Sequence, residues 1–287
     1  VSTKFLTKFD ALIMLSAISN DPMGNKFEEV TNSINFLAVK NIIEPYVALP
    51  NKRLVFASSC SIYGASEGEA KKESNTLNPL TAYAKSKVAV EKVLQKCDMG
   101  DGTTATSLRF ATACGMSDRL RLDLVLNDFV ASALINNRIE ILSDGTPWRP
   151  LIHVKDMSRA IEWAIHRNQK VAAPYLAVNI GSSLWNFQVS DLAKAVAEIL
   201  PNCEVSINTK GQPDKRSYKV NFDLFKTLAP SYNPVYTLSD TISELVEGIS
   251  EIRHLISDNF RASDFMRLHI LENHLKNKRL SSDLRWI

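Results

Sequence analysis

The residue types best suited to acid–base chemistry are Tyr83 and Lys87, which stand four positions apart in a stretch with a helical pattern. At this spacing the two side chains share one face of a helix, about one turn apart. A phenol titrates near pH 10 and is a poor base at neutral pH, but a fixed ammonium group beside it favours the phenolate. Upstream, an apolar run over 54–57 ends in Ser58 and Ser59, as a buried strand carrying polar groups at its carboxyl end would. The pattern therefore predicts a proton-transfer device made of a strand-end serine and a helical Tyr–Lys pair.

The segment SSCSIYG (58–64), followed about twenty residues later by YAKSK (83–87), resembles the extended short-chain dehydrogenase/reductase family, in its nucleotide-sugar epimerase, dehydratase and reductase branch. The resemblance implies an α/β fold with a Rossmann-like, doubly wound parallel sheet. It also implies NAD as cofactor, with NADP as the alternative, and a nucleoside diphosphate sugar as substrate. Tyr83 would exchange a proton with a sugar hydroxyl, usually at C4, and Ser59 would hydrogen-bond the reacting oxygen. Lys87 would bind the nicotinamide ribose and lower the pKa of Tyr83.

A second segment, DGTPWRPLIHVKD (144–156), resembles the family pattern G-x-x-x-R-x-x-x-H-V-x-D. The resemblance makes Arg149 the candidate for the substrate diphosphate, because a guanidinium group binds phosphate oxygens through two parallel hydrogen bonds. Arg216, in GQPDKRSYKVNF, would be the second guanidinium at the diphosphate. We interpret His153 and Asp156 as structural residues.

The resemblance assigns further residues to the two ligands. Thr112 stands where the family more often has an asparagine, and with Phe110 it is expected to line the nicotinamide side of the site. The residues expected to contact the cofactor are Leu15, Ser16, Ala17, Asn32, Ser58, Tyr83, Lys87, Phe110 and Thr112. Those expected to contact the substrate are Ser59, Ser61, Asn127, Arg149 and Arg216.

The beginning of the sequence differs from the family pattern. DALIMLSA (10–17) reads as a buried strand and resembles the fourth strand of the family's sheet, while Gly24 is the first glycine, so no glycine-rich phosphate-binding turn precedes it. Two explanations are open: these residues are a portion of a longer polypeptide, or half of the cofactor site has been lost. We favour the first, because a parallel sheet without its first strands would expose a broad apolar surface.

Composition excludes several functional classes. The chain has 287 residues, 45% hydrophobic and 23% charged, with a net charge of +3, which is too small to indicate binding to nucleic acid or to a membrane surface. Its apolar runs are far shorter than the ~20 residues of a membrane span. The four cysteines form no CxxC pair, which favours reduced thiols in a cytoplasmic protein, and the five histidines join no cluster of metal ligands.

Two units are expected along the chain. Residues 1–118 and 150–181 would form the NAD(P)-binding domain, without its glycine-rich start, and residues 119–149 and 182–287 a smaller mixed α/β substrate lobe at the carboxyl edge of the sheet. Apolar spacing predicts helices near 26–43, 119–136, 189–200, 238–256 and 265–276. By analogy with the family, a homodimer is expected, often through the Tyr83 helix and the helix before it.

The reaction remains open between members of the branch. Dehydratases of this family carry an acidic residue directly after the position of Ser59, where this chain has Cys60 and Ser61, so 4,6-dehydration is disfavoured. The serine-rich strand end resembles sugar 4-epimerases, and a ketoreductase is the alternative. A hypothesis of another class is a non-catalytic nucleotide-binding protein on the same fold, against which the intact Ser59, Tyr83 and Lys87 set argues.

Overall fold

The computed structural model describes residues 1–66, 68–211 and 217–287. The strands are β1 (Ala11–Met14), β2 (Arg53–Ser59), β3 (Thr104–Phe110), β4 (Thr112–Cys114), β5 (Arg138–Ile141), β6 (Trp148–His153), β7 (Tyr175–Ile180), β8 (Asn186–Gln188) and β9 (Glu204–Ile207). The α-helices are α1 (Thr3–Leu6), α2 (Asp21–Lys26), α3 (Glu28–Asn32), α4 (Val39–Val47), α5 (Ala82–Lys96), α6 (Val125–Asn136), α7 (Val154–His166), α8 (Val189–Ile199), α9 (Asp223–Leu228), α10 (Leu238–Glu251) and α11 (Arg267–Lys276).

A parallel sheet in the order β1-β2-β3-β7 forms the centre of the fold. Side chains alternate along β2: Leu54 and Phe56 pack with α4 and α5 on one face, while Val55 packs with α7 on the other. Each of these buried apolar side chains contributes about 1.5–3 kcal/mol through removal from water. Because helices cover both faces, the sheet is doubly wound, as the sequence predicts.

The register of the sheet determines where its polar residues meet. Ser59 at the end of β2 is paired with Phe110 at the end of β3, and Phe110 is paired with Ile180 at the end of β7. The carboxyl ends of three neighbouring strands therefore lie side by side. This edge is where open parallel sheets bind their ligands.

A second group of elements packs against this edge. It contains the sheet β4-β6-β8, the parallel pair β5-β9, and helices α6, α8 and α10 around a core that includes Leu126, Leu192 and Leu245. Tyr218 and Phe225 instead pack with residues of the central sheet, although both fall within the predicted lobe range 182–287. Among the described residues, no helix is long and apolar enough to cross a membrane.

Several predicted elements differ in the structure. The stretch 10–17 is not uniformly buried, since β1 is an edge strand of the described sheet and Ile13 and Leu15 are 39% and 58% exposed. The predicted helix 26–43 consists of successive pieces, with a π-helical segment (Ser33–Ala38) between α3 and α4. The predicted helix 119–136 begins only at Val125, because the preceding residues run across the second group of elements, where the Leu122 amide donates to the carbonyl of Phe265.

Candidate active site

A cleft of about 890 Å³ lies along the carboxyl edge of the parallel sheet, between the sheet and the second group of elements. Its walls combine the ends of β1, β2 and β3 with residues of α5, α6, β6 and the segment before α11. Ten of the residues predicted from the sequence line this cleft: Leu15, Ala17, Ser58, Ser59, Ser61, Tyr83, Lys87, Phe110, Thr112 and Arg149. Chain segments far apart in sequence thus converge on one site.

The start of α5 places Tyr83 at the cleft. Thr81 caps this helix by accepting a hydrogen bond from the amide of Ala84 at 3.1 Å, which fixes the first turn that carries Tyr83. Helix α2 packs directly on this turn at Gly24, where an added Cβ would stand 2.9 Å from the Cβ of Tyr83. The absence of a side chain at Gly24 therefore permits the close approach of the two helices.

Ser59 and Lys87 complete the predicted set. Ser59 ends β2 and caps the 3₁₀ turn that follows, its Oγ accepting a hydrogen bond from the Ser61 amide at 3.2 Å. The Nζ of Lys87 donates to the carbonyl of Ala57 at 2.7 Å and lies 5.4 Å from the centre of the Tyr83 ring. The strand end, the phenol and the ammonium group are thus brought together as the sequence predicts.

The acid–base state of Tyr83 is opposite to the one expected from the Lys87 neighbour. Burial raises the pKa of Tyr83 to about 12, which outweighs the hydrogen bond with Ser59 that lowers it. The charge of Asp21 raises this pKa further, and the charge of Arg121 lowers it. The net lowering expected from Lys87 is not found, because burial has the largest influence on the pKa of Tyr83. Tyr83 is therefore a protonated acid at neutral pH.

Lys87 shows the complementary effect. Its side chain is 4% exposed, and burial lowers its pKa from the ordinary 10.5 to about 8, although the charge of Glu91 raises it. Since the charged form of a lysine is the one that burial disfavours, Lys87 loses its proton near the upper end of the physiological range.

We expect this burial to appear in the pH dependence of stability. Between pH 8 and 10.5 the unfolded state binds the Lys87 proton and the folded state does not, so the free energy of unfolding rises with pH across this window. Each pKa unit is worth about 1.4 kcal/mol, so the total gain is about 3 kcal/mol relative to the Lys87→Met variant. Urea unfolding of both proteins at several pH values measures the difference, and a difference independent of pH would contradict the prediction.

A buried polar network supports the floor of the cleft and was not identified from the sequence. Glu91, on α5, accepts hydrogen bonds from Arg109 at 2.7–3.2 Å and from the hydroxyl of Ser58 at 2.6 Å. Arg109 also donates to the Tyr63 hydroxyl at 3.0 Å, and Tyr63 donates to Asn179 at 2.7 Å. Ser58 therefore lines the cleft as predicted, but its hydroxyl is bonded to Glu91 in the interior. The network fastens β2, β3, β7 and α5 to one another beneath the site.

The two residues that follow Ser59 differ in whether their side chains can contact a ligand in the cleft. Cys60 is fully buried, its Sγ donates to the carbonyl of Arg109 at 3.0 Å, and burial raises the pKa of the thiol. Ser61 lines the cleft, and its Oγ is buried with no hydrogen-bond partner in the described part of the chain. A buried hydroxyl without a partner is energetically costly, so Ser61 is suited to bind a polar group of a ligand.

The structure does not support Asn32 as a cofactor residue. Asn32 is exposed and borders a separate shallow groove between α3 and α5. The buried asparagine of this region is Asn35, whose amide group accepts from the amide of Ile18 at 2.8 Å and donates to the carbonyl of Ile18 at 3.0 Å. Asn35 thereby fixes the loop after β1. Its position between Ile34 and Phe36, in an apolar stretch, was the available sequence signal.

Two other predicted residues, Asn127 and Ser16, do not line the cleft. Asn127 is 1% exposed, accepts from the Gly115 amide at 3.1 Å and donates to the Arg121 carbonyl at 2.9 Å, so its side chain is held inside the protein. Ser16 is exposed beside the cleft and is not part of its wall. Arg216 lies outside the described residues.

Residues of the loop after β1 and of the segment before α6 line the cleft without having been predicted. They are Ser19, Asn20, Asp21, Arg121 and Asp123. Asp21 accepts a hydrogen bond from the Thr81 hydroxyl at 2.6 Å, which ties this loop to the helix of Tyr83. Within the described ranges, no group of three or more histidine, cysteine, aspartate or glutamate side chains is arranged to hold a metal ion.

Comparison with known proteins finds relatives of this chain by sequence. The chain is 26% identical over 176 residues to a Bacillus subtilis protein named as an uncharacterized UDP-glucose epimerase, covering 61% of this chain and 54% of the relative. It is 25% identical over 223 residues to the UDP-glucose 4-epimerase of Lactobacillus helveticus, covering 72% of this chain and 67% of the relative. The chain thus spans between half and two thirds of the length of these curated relatives.

Solved structures share the fold. MoeE5 in complex with UDP-glucose and NAD superposes with a TM-score of 0.73 at 23% identity, covering 87% of this chain and 82% of that one. The UDP-glucose 4-epimerase of Thermotoga maritima with UDP-glucose gives a TM-score of 0.75 at 19% identity, covering 88% and 81%. The family model described as NAD dependent epimerase/dehydratase family matches residues 2–181. The chain therefore belongs to the NAD-dependent epimerase/dehydratase family.

Proposed function

We propose that this chain belongs to a nucleoside diphosphate sugar 4-epimerase that uses NAD. The observation that carries the proposal is the convergence of Ser59, Tyr83 and Lys87 on one cleft, where Tyr83 lies near enough to Ser59 for that serine to lower the pKa of the phenol. Relatives named as UDP-glucose 4-epimerases and a structural neighbour bound to UDP-glucose and NAD support the substrate class and the cofactor.

The residues present fit the nicotinamide end of NAD. Lys87 Nζ, the Tyr83 hydroxyl and the half-buried side chain of Thr112 offer polar groups at the sheet edge, beside the apolar surface of Phe110. These four residues would hold the nicotinamide and its ribose, while Leu15 and Ala17 would line the path toward the rest of the dinucleotide. The chemistry that NAD would supply there is acceptance and return of a hydride at the sugar's carbinol carbon.

Tyr83 moves the proton of the reaction. Its hydroxyl lies beside Ser59 in the cleft, so a sugar oxygen held by Ser59 would be within reach of the phenol. The protonated phenol would give its proton to that oxygen when a carbonyl is reduced, and the phenolate so formed would take a proton back when the alcohol is oxidised. An epimerase needs both directions, on opposite faces of the same carbon.

The sugar and its diphosphate would be held by different parts of the cleft. Ser61 offers an unpartnered hydroxyl next to Ser59, and Arg149 lines the wall formed by the second group of elements. A guanidinium group there suits the diphosphate. Arg216 stays a candidate for the same role.

Ketoreduction is the second candidate, and the state of Tyr83 favours it. With a pKa of about 12, Tyr83 is already in the form that donates a proton to a carbonyl oxygen. Dehydration is disfavoured because Cys60 is buried and bonded to a backbone carbonyl, and Ser61 carries no acid.

The test combines the purified protein with NAD or reduced NAD and a panel of UDP-sugars and their 4-keto derivatives. Proton NMR follows inversion at C4, and absorbance follows the reduced nicotinamide. Inversion without net change in NAD supports the epimerase, and stoichiometric consumption of reduced NAD supports the reductase. Loss of water from the sugar would show a dehydratase, and binding without any turnover would show a non-catalytic protein.

A further inference from the structure

Two arginine side chains from distant parts of the sequence meet at one oxygen on the cleft wall. Arg121 Nη1 lies 3.4 Å from the Oγ of Ser19, and Arg267 Nη1 lies 3.1 Å from the same oxygen. The two Nη1 atoms are therefore separated by no more than the sum of these distances. Like charges held this closely in a partly buried place repel each other, and an anion between them relieves the repulsion.

Local acidic groups compensate only part of this charge. Asp123 accepts from Arg121 Nε at 2.9 Å and Nη2 at 2.8 Å, and it also accepts from the amide group of Asn20 at 2.6 Å. Asp123 thus binds the Nε and Nη2 atoms of Arg121, while the Nη1 atom is directed at Ser19. Burial lowers the pKa of Arg267, as do the charges of Arg121 and of the exposed Arg119, and Asp123 raises it.

Other charged groups face this place from neighbouring elements. Lys26 of α2 pairs with Glu272 of α11, so their charges cancel, and Asp21 accepts the hydrogen bond of Thr81. The guanidinium groups of Arg121, Arg267 and Arg119 outnumber the carboxylates of Asp123 and Asp21, so the corner of the cleft around Ser19 is positive in sign. Positive potential in a concave site attracts an anionic ligand group.

The positive corner lies near the reacting end of the cleft. Arg121 is close enough to Tyr83 for its charge to lower the pKa of the phenol, and Ser19 and Arg121 line the same cleft. Arg149, the candidate for the diphosphate, belongs to β6 in the second group of elements. Arg121 and Arg267 therefore form a second cationic site, separate from Arg149, which is proposed for the diphosphate.

The position of this point limits the ligand group that it can bind. In a hexose that reacts at C4, the neighbouring ring carbon C5 carries C6, so a C6 carboxylate would lie beside the Tyr83 hydroxyl. Resting on the proposed function, we propose that Arg121 and Arg267 bind the C6 carboxylate, so that the substrate is a nucleoside diphosphate hexuronic acid. A guanidinium group binds a carboxylate with charge-assisted hydrogen bonds, which a neutral hydroxymethyl group at C6 cannot accept with equal strength.

The experiment compares UDP-glucuronic acid with UDP-glucose by titration calorimetry. The wild-type protein should bind the uronic acid about tenfold or more tightly than the neutral sugar. Arg267→Gln should weaken binding of the uronic acid about ten- to a hundredfold and leave UDP-glucose within about twofold. Arg267→Lys, which keeps the charge, should recover part of the loss. Lys276→Gln is the matched control, because it removes one positive charge from the exposed end of the same helix and should change neither affinity.

Each other outcome overturns the inference in a distinguishable way. Equal losses for both sugars in Arg267→Gln would place the arginine at the diphosphate, and a loss of NAD affinity alone would place it at the dinucleotide. If neither sugar nucleotide binds to the wild-type protein, the proposed function fails and the inference with it. Should Arg267→Gln not fold, the wild-type preference decides, and the absence of a preference for the uronic acid overturns the proposal.

Discussion

Replacement of Tyr83 by phenylalanine is expected to lower kcat by about 10²–10⁴-fold, with little change in the affinity for the sugar nucleotide. The substitution removes only the hydroxyl, and the backbone and Cβ of residue 83, which pack against Gly24 of α2, are unchanged. Since the hydroxyl is the acidic group beside Ser59 in the cleft, its loss removes proton transfer at the reacting oxygen. Stopped-time NMR assays of C4 inversion measure kcat, and calorimetry measures the affinity.

Tyr232→Phe is the matched control for this prediction, because it removes a phenolic hydroxyl from a residue that packs outside the cleft, against the core of the central sheet. It should leave kcat within about twofold, as expected for a change remote from the chemistry. If Tyr83→Phe retained turnover comparable to that of Tyr232→Phe, the assignment of Tyr83 as the proton-transferring group would be wrong.

The sequence predicts the local parts of the site well, because they depend on short-range spacing. Tyr83 and Lys87 share a helix, Ser59 ends the adjacent strand, and parallel pairing brings these ends together at one edge. For the same reason, the doubly wound sheet follows from apolar runs alternating with amphipathic helices. Arg149 is likewise brought to the cleft, as the family resemblance implies.

Asn32 and Asn127 lie away from the cleft for a reason that spacing cannot show. A π-helical segment follows Asn32, and its i to i+5 hydrogen bonding changes which side chains share the buried face. Asn35 therefore points inward and Asn32 outward. Asn127 bonds to the Gly115 amide, a tertiary contact that periodicity on its own helix does not indicate.

The electrostatics of the candidate site could not be predicted from the sequence either. The Tyr-x-x-x-Lys spacing suggests a lowered phenol pKa, but the sign of the effect depends on burial, which lowers the pKa of Lys87 and raises that of Tyr83. The corner around Ser19 joins Arg121 to Arg267, which are distant in sequence, so neither arginine was predicted as a ligand residue.

Removal of Arg109 is expected to cause the largest loss of stability in the central sheet. Arg109 is 5% exposed and donates hydrogen bonds to both carboxylate oxygens of Glu91, which is equally buried, and to the Tyr63 hydroxyl. Arg109→Leu would leave the Glu91 charge buried without its partner, and breaking such a pair costs about 3–5 kcal/mol. Urea unfolding measures this loss. Arg138→Leu, which removes an arginine from a half-exposed pair with Glu140, is the control and should cost less than about 1 kcal/mol.

A double variant separates the cost of an unpaired charge from the value of the ion pair itself. In Glu91→Leu/Arg109→Leu both charges are gone, and Tyr63 still donates to Asn179 at 2.7 Å. Because two apolar side chains can replace a buried ion pair at little cost, the double variant should be more stable than Arg109→Leu alone. If the double variant instead loses the sum of the two single losses, the residues act independently, and the network does not stabilise the floor of the cleft through their pairing. The same urea titrations, carried out on all four proteins of the cycle, measure this coupling free energy directly.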